Sequence, residues 1–448
     1  MIASDSIYAL SSGAGKAGIA VIRLSGSSSR EVLAGMAGSL PPPRRAVVRR
    51  IKDPSTGEVL DQAVVLWCPG PKSVTGEDVA EFHVHGSVAV TSGVFSAFGE
   101  FPDLRPAEPG EFTRRALANG RMDLVEVEGL ADLLNARSSR QRQQAIHHLM
   151  GRASSVYEEW RLRLLGILAR IEAAVDFIDE EGVADAAMKF VSRDVAALLH
   201  DMDTALAISR RASAVRNGIK VVLAGLPNTG KSSLLNALAK RDAAIVSSRP
   251  GTTRDVIEVS IEVDGMAIIL ADTAGLHDGS SDEIELIGMA RTRRELAGAD
   301  IVVWVFSPDI EGSAKIPPSV SPALLVRNKI DLDEDESRLY RNDFVGPLTV
   351  EVSARCDTGI ANLISEIGRL AVEEHAYAGD AVVVRDRQKV AVMESIRRLN
   401  ESRQHDPSQL ELVAEDLRKA SYALARITGR IDVEDLLTAI FSEFCIGK

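Results

Sequence analysis

The string Gly225-Leu226-Pro227-Asn228-Thr229-Gly230-Lys231-Ser232 constrains this chain more than any other feature. An apolar run at 220–224 that predicts a buried strand precedes it, and a run at 232–239 that predicts a helix follows. Strand, glycine loop and helix in that order make a phosphate cradle. Glycines let main-chain N–H groups turn inward, and the helix N-terminus adds its dipole. Lys231 can reach the outer phosphates and Ser232 can ligate Mg²⁺, with Asn228, Thr229, Gly230 and Ser233 completing the binding loop. Strand and helix patterns keep alternating at 267–271, 283–297, 301–306, 323–327, 348–352 and 360–372, which predicts an α/β domain with helices on both faces of a parallel sheet.

Further motifs follow in the order such a site needs. Asp272-Thr273-Ala274-Gly275 comes after a predicted strand, placing Asp272 near the metal and the Gly275 N–H where a γ-phosphate would be sensed. Asn328-Lys329-Ile330-Asp331 ends another strand. The Asp331 carboxylate can accept both N–H donors of guanine while the Lys329 stem packs on the ring. Adenine would leave that carboxylate unmatched, at a cost of ~1–3 kcal/mol or more, so the motif selects GTP over ATP. Ser353-Ala354-Arg355 supplies a loop whose main chain can meet the guanine oxygen. Gly251-Thr252-Thr253-Arg254-Asp255 is a candidate switch loop, in which either threonine could complete the Mg²⁺ shell. Leu276 stands after Gly275, where small GTPases carry a water-orienting glutamine, so any such help must come from elsewhere, for example the acidic stretch Asp282-Glu283-Ile284-Glu285.

The flanks differ in texture. A chain of 448 residues accommodates about three domains. Residues 1–119 mix short β-rich runs (18–24, 62–67) with Gly, Ser and Pro clusters, an α+β pattern; 120–215 is helix-periodic; 216–376 is the nucleotide domain; and 377–448 returns to helix. About seventy residues of helix make a thin core alone. The economical arrangement packs the tail on the earlier helices, with the nucleotide domain inserted into one helical domain. No apolar run approaches the ~20 residues of a membrane span, and no secretion signal is visible, so a cytoplasmic location is expected. Cys68, Cys356 and Cys445 are too few and scattered for a disulfide framework or zinc site. A net charge of −12 excludes coating nucleic acid through bulk charge, so RNA contacts must be local. Candidate basic clusters are Arg44-Arg45 with Arg49-Arg50, Arg114-Arg115, Arg210-Arg211 and 291–294. His83-Val84-His85 puts two imidazoles on one strand face, but without further ligands nearby it makes a poor metal site.

Read in order, these motifs resemble the MnmE or TrmE family of tRNA-modification GTPases over essentially the whole chain. The resemblance extends to Ser6-Ile7-Tyr8-Ala9, Gly18 through Gly26, Thr75-Gly76-Glu77-Asp78-Val79-Ala80-Glu81, Pro109-Gly110-Glu111-Phe112-Thr113 and the final Phe444-Cys445-Ile446-Gly447-Lys448. It implies an N-terminal α+β domain that pairs two subunits and binds a formyl-tetrahydrofolate-type carrier through Arg23, Glu81, Arg121 and Lys448, Arg121 standing where the family commonly has lysine. It also implies a K⁺ site from Asn228, Ser247, Arg249 and Thr252, a metal-ligating Thr253, a water-orienting Glu285 and a tRNA-modification role for Cys445. Arg249-Pro250 departs from the small or apolar residues usual in that loop. The implied partners are tRNA and a flavoprotein, MnmG or GidA, assembled as a heterotetramer. Together they would add an aminomethyl or carboxymethylaminomethyl group at C5 of the wobble uridine. Flavin would belong to the partner, since no Gly-x-Gly-x-x-Gly fingerprint occurs here. The rival is a ribosome-assembly GTPase acting as an RNA-binding switch, which would share every central motif but usually carries a basic RNA-binding module. A membrane-remodelling GTPase would need an apolar insertion segment or a strongly basic amphipathic helix.

Overall fold

The structure is a computed structural model that describes residues 5–177, 180, 182–240, 244–245, 258–272, 294–318, 320–332, 348–375, 380–431, 440–441, 444 and 447. It divides into two compact units. One comprises Met1–Ala131, His148–Ser192 and Arg397–Lys448, and the other Asp132–His147 and Arg193–Ile396.

The first unit begins with a mixed sheet of β1 (Ser6–Leu10), β2 (Ala17–Ser25), β3 (Val47–Lys52), β4 (Val59–Cys68), β5 (Val79–Gly86) and β6 (Leu104–Pro106), in the order β3-β4-β5-β2-β1-β6. Successive side chains of a strand face opposite ways, so one face of β2 and β5 presents Ala20, Ile22, Leu24, Ala80, Phe82 and Val84. Helices α1 (Ser29–Ala37) and α2 (Val88–Phe98) cover that face with Val32, Leu33, Met36, Val94, Ala97 and Phe98. The other face of the same strands carries Arg23, Glu81 and His83. Helix α3 (Glu111–Ala118) follows β6. The chain then continues as α4 (Leu124–Asn135), α5 (Ser139–Leu149), α6 (Arg152–Val175) and α7 (Val183–Asn217).

The second unit holds β7 (Ile219–Ala224), β8 (Ala244–Ile245), β9 (Glu258–Val263), β10 (Met266–Asp272), β11 (Ile301–Phe306), β12 (Leu324–Arg327) and β13 (Thr349–Glu351), in the order β13-β12-β11-β7-β10-β9-β8. β10, β7, β11, β12 and β13 run parallel, and β9 pairs antiparallel with both β10 and β8. Helix α8 (Lys231–Ala239) and α9 (Ile360–His375) pack Leu234, Leu235, Leu238, Leu363 and Ile367 with Val221, Leu223, Ile268 and Leu270 of the sheet. Ala224, Trp304, Phe306 and Leu325 gather in a separate cluster with Leu296. Such continuous apolar strands are what a sheet covered on both faces requires. β7 lies between β10 and β11, strands that come later in the chain, so connections depart to either side of its carboxyl end and open a crevice there.

At the chain's entry to and exit from this unit, one carboxylate gathers two arginines. Asp132 Oδ1 accepts from Arg216 Nε at 2.9 Å and from Arg385 at 2.7 Å. Nearby segments also meet the β9–β10 hairpin: Ser139 N–H donates to Glu262 at 2.9 Å, and Arg140 N–H to Gly265 O at 3.1 Å. Helix α10 (Asp386–Ser402) then leads to α11 (Leu410–Ile427), which packs along α6. α6 contributes Tyr157, Trp160, Leu164, Ile167 and Ile171 at three- and four-residue spacing, and α11 contributes Leu410, Val413, Leu417, Ala420 and Leu424. Ile440, Phe441 and Phe444 join Leu124, Val127 and Ala131, and the Gly447 carbonyl accepts from Ser11 Oγ at 3.0 Å.

Candidate functional site

The loop after β7 owes its path to residues that tolerate unusual backbone. Gly225 has φ +151°, and a Cβ there would lie 2.2 Å from the Val305 carbonyl oxygen. Gly230, at φ +89°, directly precedes α8, and a Cβ would meet Asn328 Nδ2 at 2.3 Å. Between them Asn228 takes a left-handed φ of +63°, a conformation asparagine tolerates better than most side chains. Thr229 is fully buried and donates from Oγ1 to Leu226 O at 2.9 Å. Lys231 folds back over the loop, its Nζ 3.1 Å from Gly225 O and 2.9 Å from Leu226 O. Burial pushes the Lys231 ammonium pKa down, with the Asp272 carboxylate opposing. A desolvated cation above a helix N-terminus favours a phosphate anion.

Ser232, at the start of α8, donates its hydroxyl to Asp272 Oδ2. Asp272 Oδ1 is buried without a hydrogen-bond partner among the described residues. A buried carboxylate oxygen beside a hydroxyl is a hard oxygen pair that fits Mg²⁺. Ser233 follows on the exposed side of the same turn.

At the other end of the crevice Asn328 acts as a strut. It is 1% exposed; its Nδ2 donates to Thr229 O at 3.0 Å, and its Oδ1 accepts from Ala354 N–H at 3.2 Å. One amide thus ties the phosphate loop to the Ser353-Ala354-Arg355 loop. Asp331 Oδ1 accepts from Ser353 Oγ at 2.6 Å, and that hydroxyl oxygen in turn accepts from Cys356 N–H at 3.1 Å. The second oxygen of Asp331 has no partner among the described residues and is available for a base. Lys329, at φ +62°, donates to Asp309 Oδ2 at 2.7 Å. Burial would raise the Asp309 pKa, but Lys329 and the Ser307 hydroxyl outweigh it and hold the carboxyl below its usual value. Sequence reasoning missed Asp309 and Ser307, since Ser307-Pro308-Asp309 reads as an ordinary turn.

In the first unit Arg23 lies opposite Glu81 across β2 and β5. Arg23 Nε donates to Glu81 Oε1 at 2.9 Å, and His83 Nε2 lies 3.0 Å from Oε2. Burial works to raise the Glu81 pKa, yet His83 and Arg23 bring it below the usual range. Arg121 is anchored on the loop before β5, its Nε donating to Ser73 O at 3.2 Å. His85 pairs with Asp61 at 2.8 Å. Beside this face runs an ion network that the sequence did not announce. Arg105 bonds Asp5 and both oxygens of Glu111, while buried Arg115 bonds Asp5, Glu77 and Glu111. Burial would raise the Glu111 pKa, but Arg105, the Glu108 N–H and Arg115 bring it down to about 2. Glu77 and Glu111 of the motif strings therefore serve the fold.

Ser247, Arg249, Thr252, Thr253, Thr273, Ala274, Gly275, Leu276, Glu285, Cys445 and Lys448 lie outside the described residues.

Comparison with known families accounts for both units. The family model of the GTP-binding protein TrmE N-terminus matches residues 6–121, and that of the MnmE helical domain matches residues 124–445. The chain belongs to the MnmE family. A tRNA modification GTPase MnmE of Methylobacterium sp. (strain 4-46) is 48% identical over 448 residues, covering 99% of this chain and 100% of that protein. One of the same description from Mesorhizobium japonicum is 44% identical over 452 residues, covering 100% of both. MnmE membership fits the phosphate loop and the base-reading loop held together by Asn328. Among the described residues, no helix is long and apolar enough to cross a membrane.

Proposed function

We propose that this chain hydrolyses GTP, with K⁺ dependence, to drive modification of tRNA at C5 of the wobble uridine. The modification draws a one-carbon unit from a tetrahydrofolate derivative and requires a flavoprotein partner of the MnmG or GidA type. The observation that supports the GTP reading is the Asn328 strut, which ties the glycine loop at Thr229 to the loop at Ala354 whose Ser353 holds the Asp331 carboxylate.

Lys231 and the N-terminus of α8 bind the phosphates, while Asp331, steadied by Ser353, takes the guanine N–H donors. Ser232, Asp272 and Thr253 would hold Mg²⁺, which when bound neutralises charge on the β- and γ-phosphates. Asn228, Ser247, Arg249 and Thr252 would hold K⁺; of these only Asn228, at its left-handed turn in the phosphate loop, lies among the described residues. Glu285 orients the attacking water in place of the glutamine that Leu276 replaces. Arg23, Glu81, Arg121 and Lys448 bind the folate; a carboxylate kept ionised beside a guanidinium suits the N–H donors of a pterin edge. Cys445 acts in the tRNA step, and the N-terminal unit pairs two copies. Support for the tRNA reading comes from the relatives' names and from the match along the whole chain.

Mass analysis of wobble nucleosides tests this. tRNA from cells lacking the protein should lose the C5 modification, and the wild-type gene should restore it. Unchanged nucleosides would defeat the tRNA reading while leaving GTP hydrolysis to be measured separately.

A further inference from the structure

The strand at the outer edge of the first sheet has a composition at odds with the rest of the chain. β3 ends the strand order, so one side of its backbone is unpaired among the described residues. Along it and on the adjoining turns stand Arg44, Arg45, Arg49, Arg50, Lys52 and Lys72. Five are exposed and Arg49 is half-buried. The group is compact: Arg44 N–H donates to Trp67 O at 2.8 Å, and its guanidinium donates to Lys72 O at 2.8 Å, which brings the two turns side by side. None of the six forms an ion pair with a described carboxylate. By contrast, Arg105 and Arg115 of the same unit are paired with acids. An uncompensated basic edge in a chain of net charge −12 concentrates positive potential in one place.

Edge strands often carry charge simply to discourage pairing with other edges. That accounts for Arg49, Arg50 and Lys52 on the strand. It does not account for Arg44, Arg45 and Lys72, which lie off the strand and are equally unpaired. Resting on the tRNA reading above, we infer that this edge is a docking surface for the phosphodiester backbone of tRNA. Arginine forks match phosphate oxygens, and Arg50 and Lys52 on the exposed face of β3, with Arg44, Arg45 and Lys72 on the adjoining turns, can track a polyanion without reading its bases.

The test uses the full chain and an unmodified tRNA transcript, with fluorescence anisotropy over a series of KCl concentrations. The variant combines Arg45→Gln, off the strand, with Arg50→Gln on its exposed face. A charge-matched control combines Arg210→Gln with Arg211→Gln, an exposed basic pair on α7. The edge variant should bind about tenfold more weakly, and its log–log salt slope should be shallower by about 0.7–0.9 for each phosphate it no longer neutralises. GTP hydrolysis without tRNA should be unchanged, and the control should bind as wild type. Equal affinity and slope for wild type and edge variant would overturn the proposal, as would an equal weakening in the control. A change in oligomeric state by light scattering would also overturn it, assigning the edge to a second copy. Failure of the wild type itself to bind tRNA would sink the tRNA reading together with this one.

Discussion

The side chain of Asn328 bonds the carbonyl of Thr229, 3.0 Å away, although 98 residues separate the two in the chain. The bond joins the end of β12 to the phosphate loop after β7. Asn328→Ala should therefore weaken binding of GTP and GDP together, by about one to two orders of magnitude. It leaves the Thr229 carbonyl and Ala354 N–H without this partner, at ~1–3 kcal/mol each in a buried site. Titration with a fluorescent guanine nucleotide measures the effect. A defect confined to hydrolysis would show that the strut does not set the binding geometry.

Ser353→Ala removes the hydroxyl that steadies Asp331. Discrimination between GTP and ATP should fall about tenfold, the weight of one hydrogen bond to a charged group. Competition of the two nucleotides against a labelled GTP reads this directly, and undiminished selectivity would leave Asp331 self-sufficient.

The Glu285 and K⁺ assignments make separable predictions. Glu285→Ala should bind GTP almost normally and hydrolyse it at least tenfold more slowly. Replacing K⁺ by Na⁺ should lower the turnover of the wild type. A phosphate-release assay in matched ionic strength serves both; equal rates in the two salts would remove the ion from the mechanism.

Acid stability should depend on Glu111. Its folded pKa, about 2, lies below its ordinary value of 4.5, so its ionised form stabilises the fold above about pH 4.5. That stabilisation disappears as pH falls from 4.5 towards 2. Denaturant midpoints measured across that window should decline for the wild type. Glu111→Gln should be less stable at neutral pH, because buried Arg115 loses a charged partner, and flatter in the acid range. A variant with the wild-type acid slope would assign it to other carboxylates.

What the sequence made legible and what it did not divide along a physical line. The strand before the glycine loop was readable, and β7 extends the expected 220–224 by one residue, because local pattern and burial agree there. The phosphate and guanine motifs were readable because their spacing is a property of one loop each. The parts that join them were not. Asn328, expected at the nucleotide, also ties two loops together; Asp309 holds Lys329 from another turn; Arg115 reaches Asp5 and Glu77 from far along the chain. Each depends on which distant segments the sheets bring together. His83 likewise gained meaning only when register placed Glu81 beside Arg23.

The shared carboxylate of Asp132 has a practical consequence. Arg216 and Arg385 flank the nucleotide sheet in sequence, yet both converge on a residue that precedes α5. A fragment cut to the sheet alone, at 216–376, would keep Arg216 but lack Asp132, Arg385 and the hydrogen bonds that Ser139 and Arg140 make with the β9–β10 hairpin. The hairpin would be left with solvent where it now has a wall, and Asp272 lies at the far end of its second strand. Rates measured on such a fragment would describe a sheet whose Asp272 hangs from a looser mount than in the intact chain.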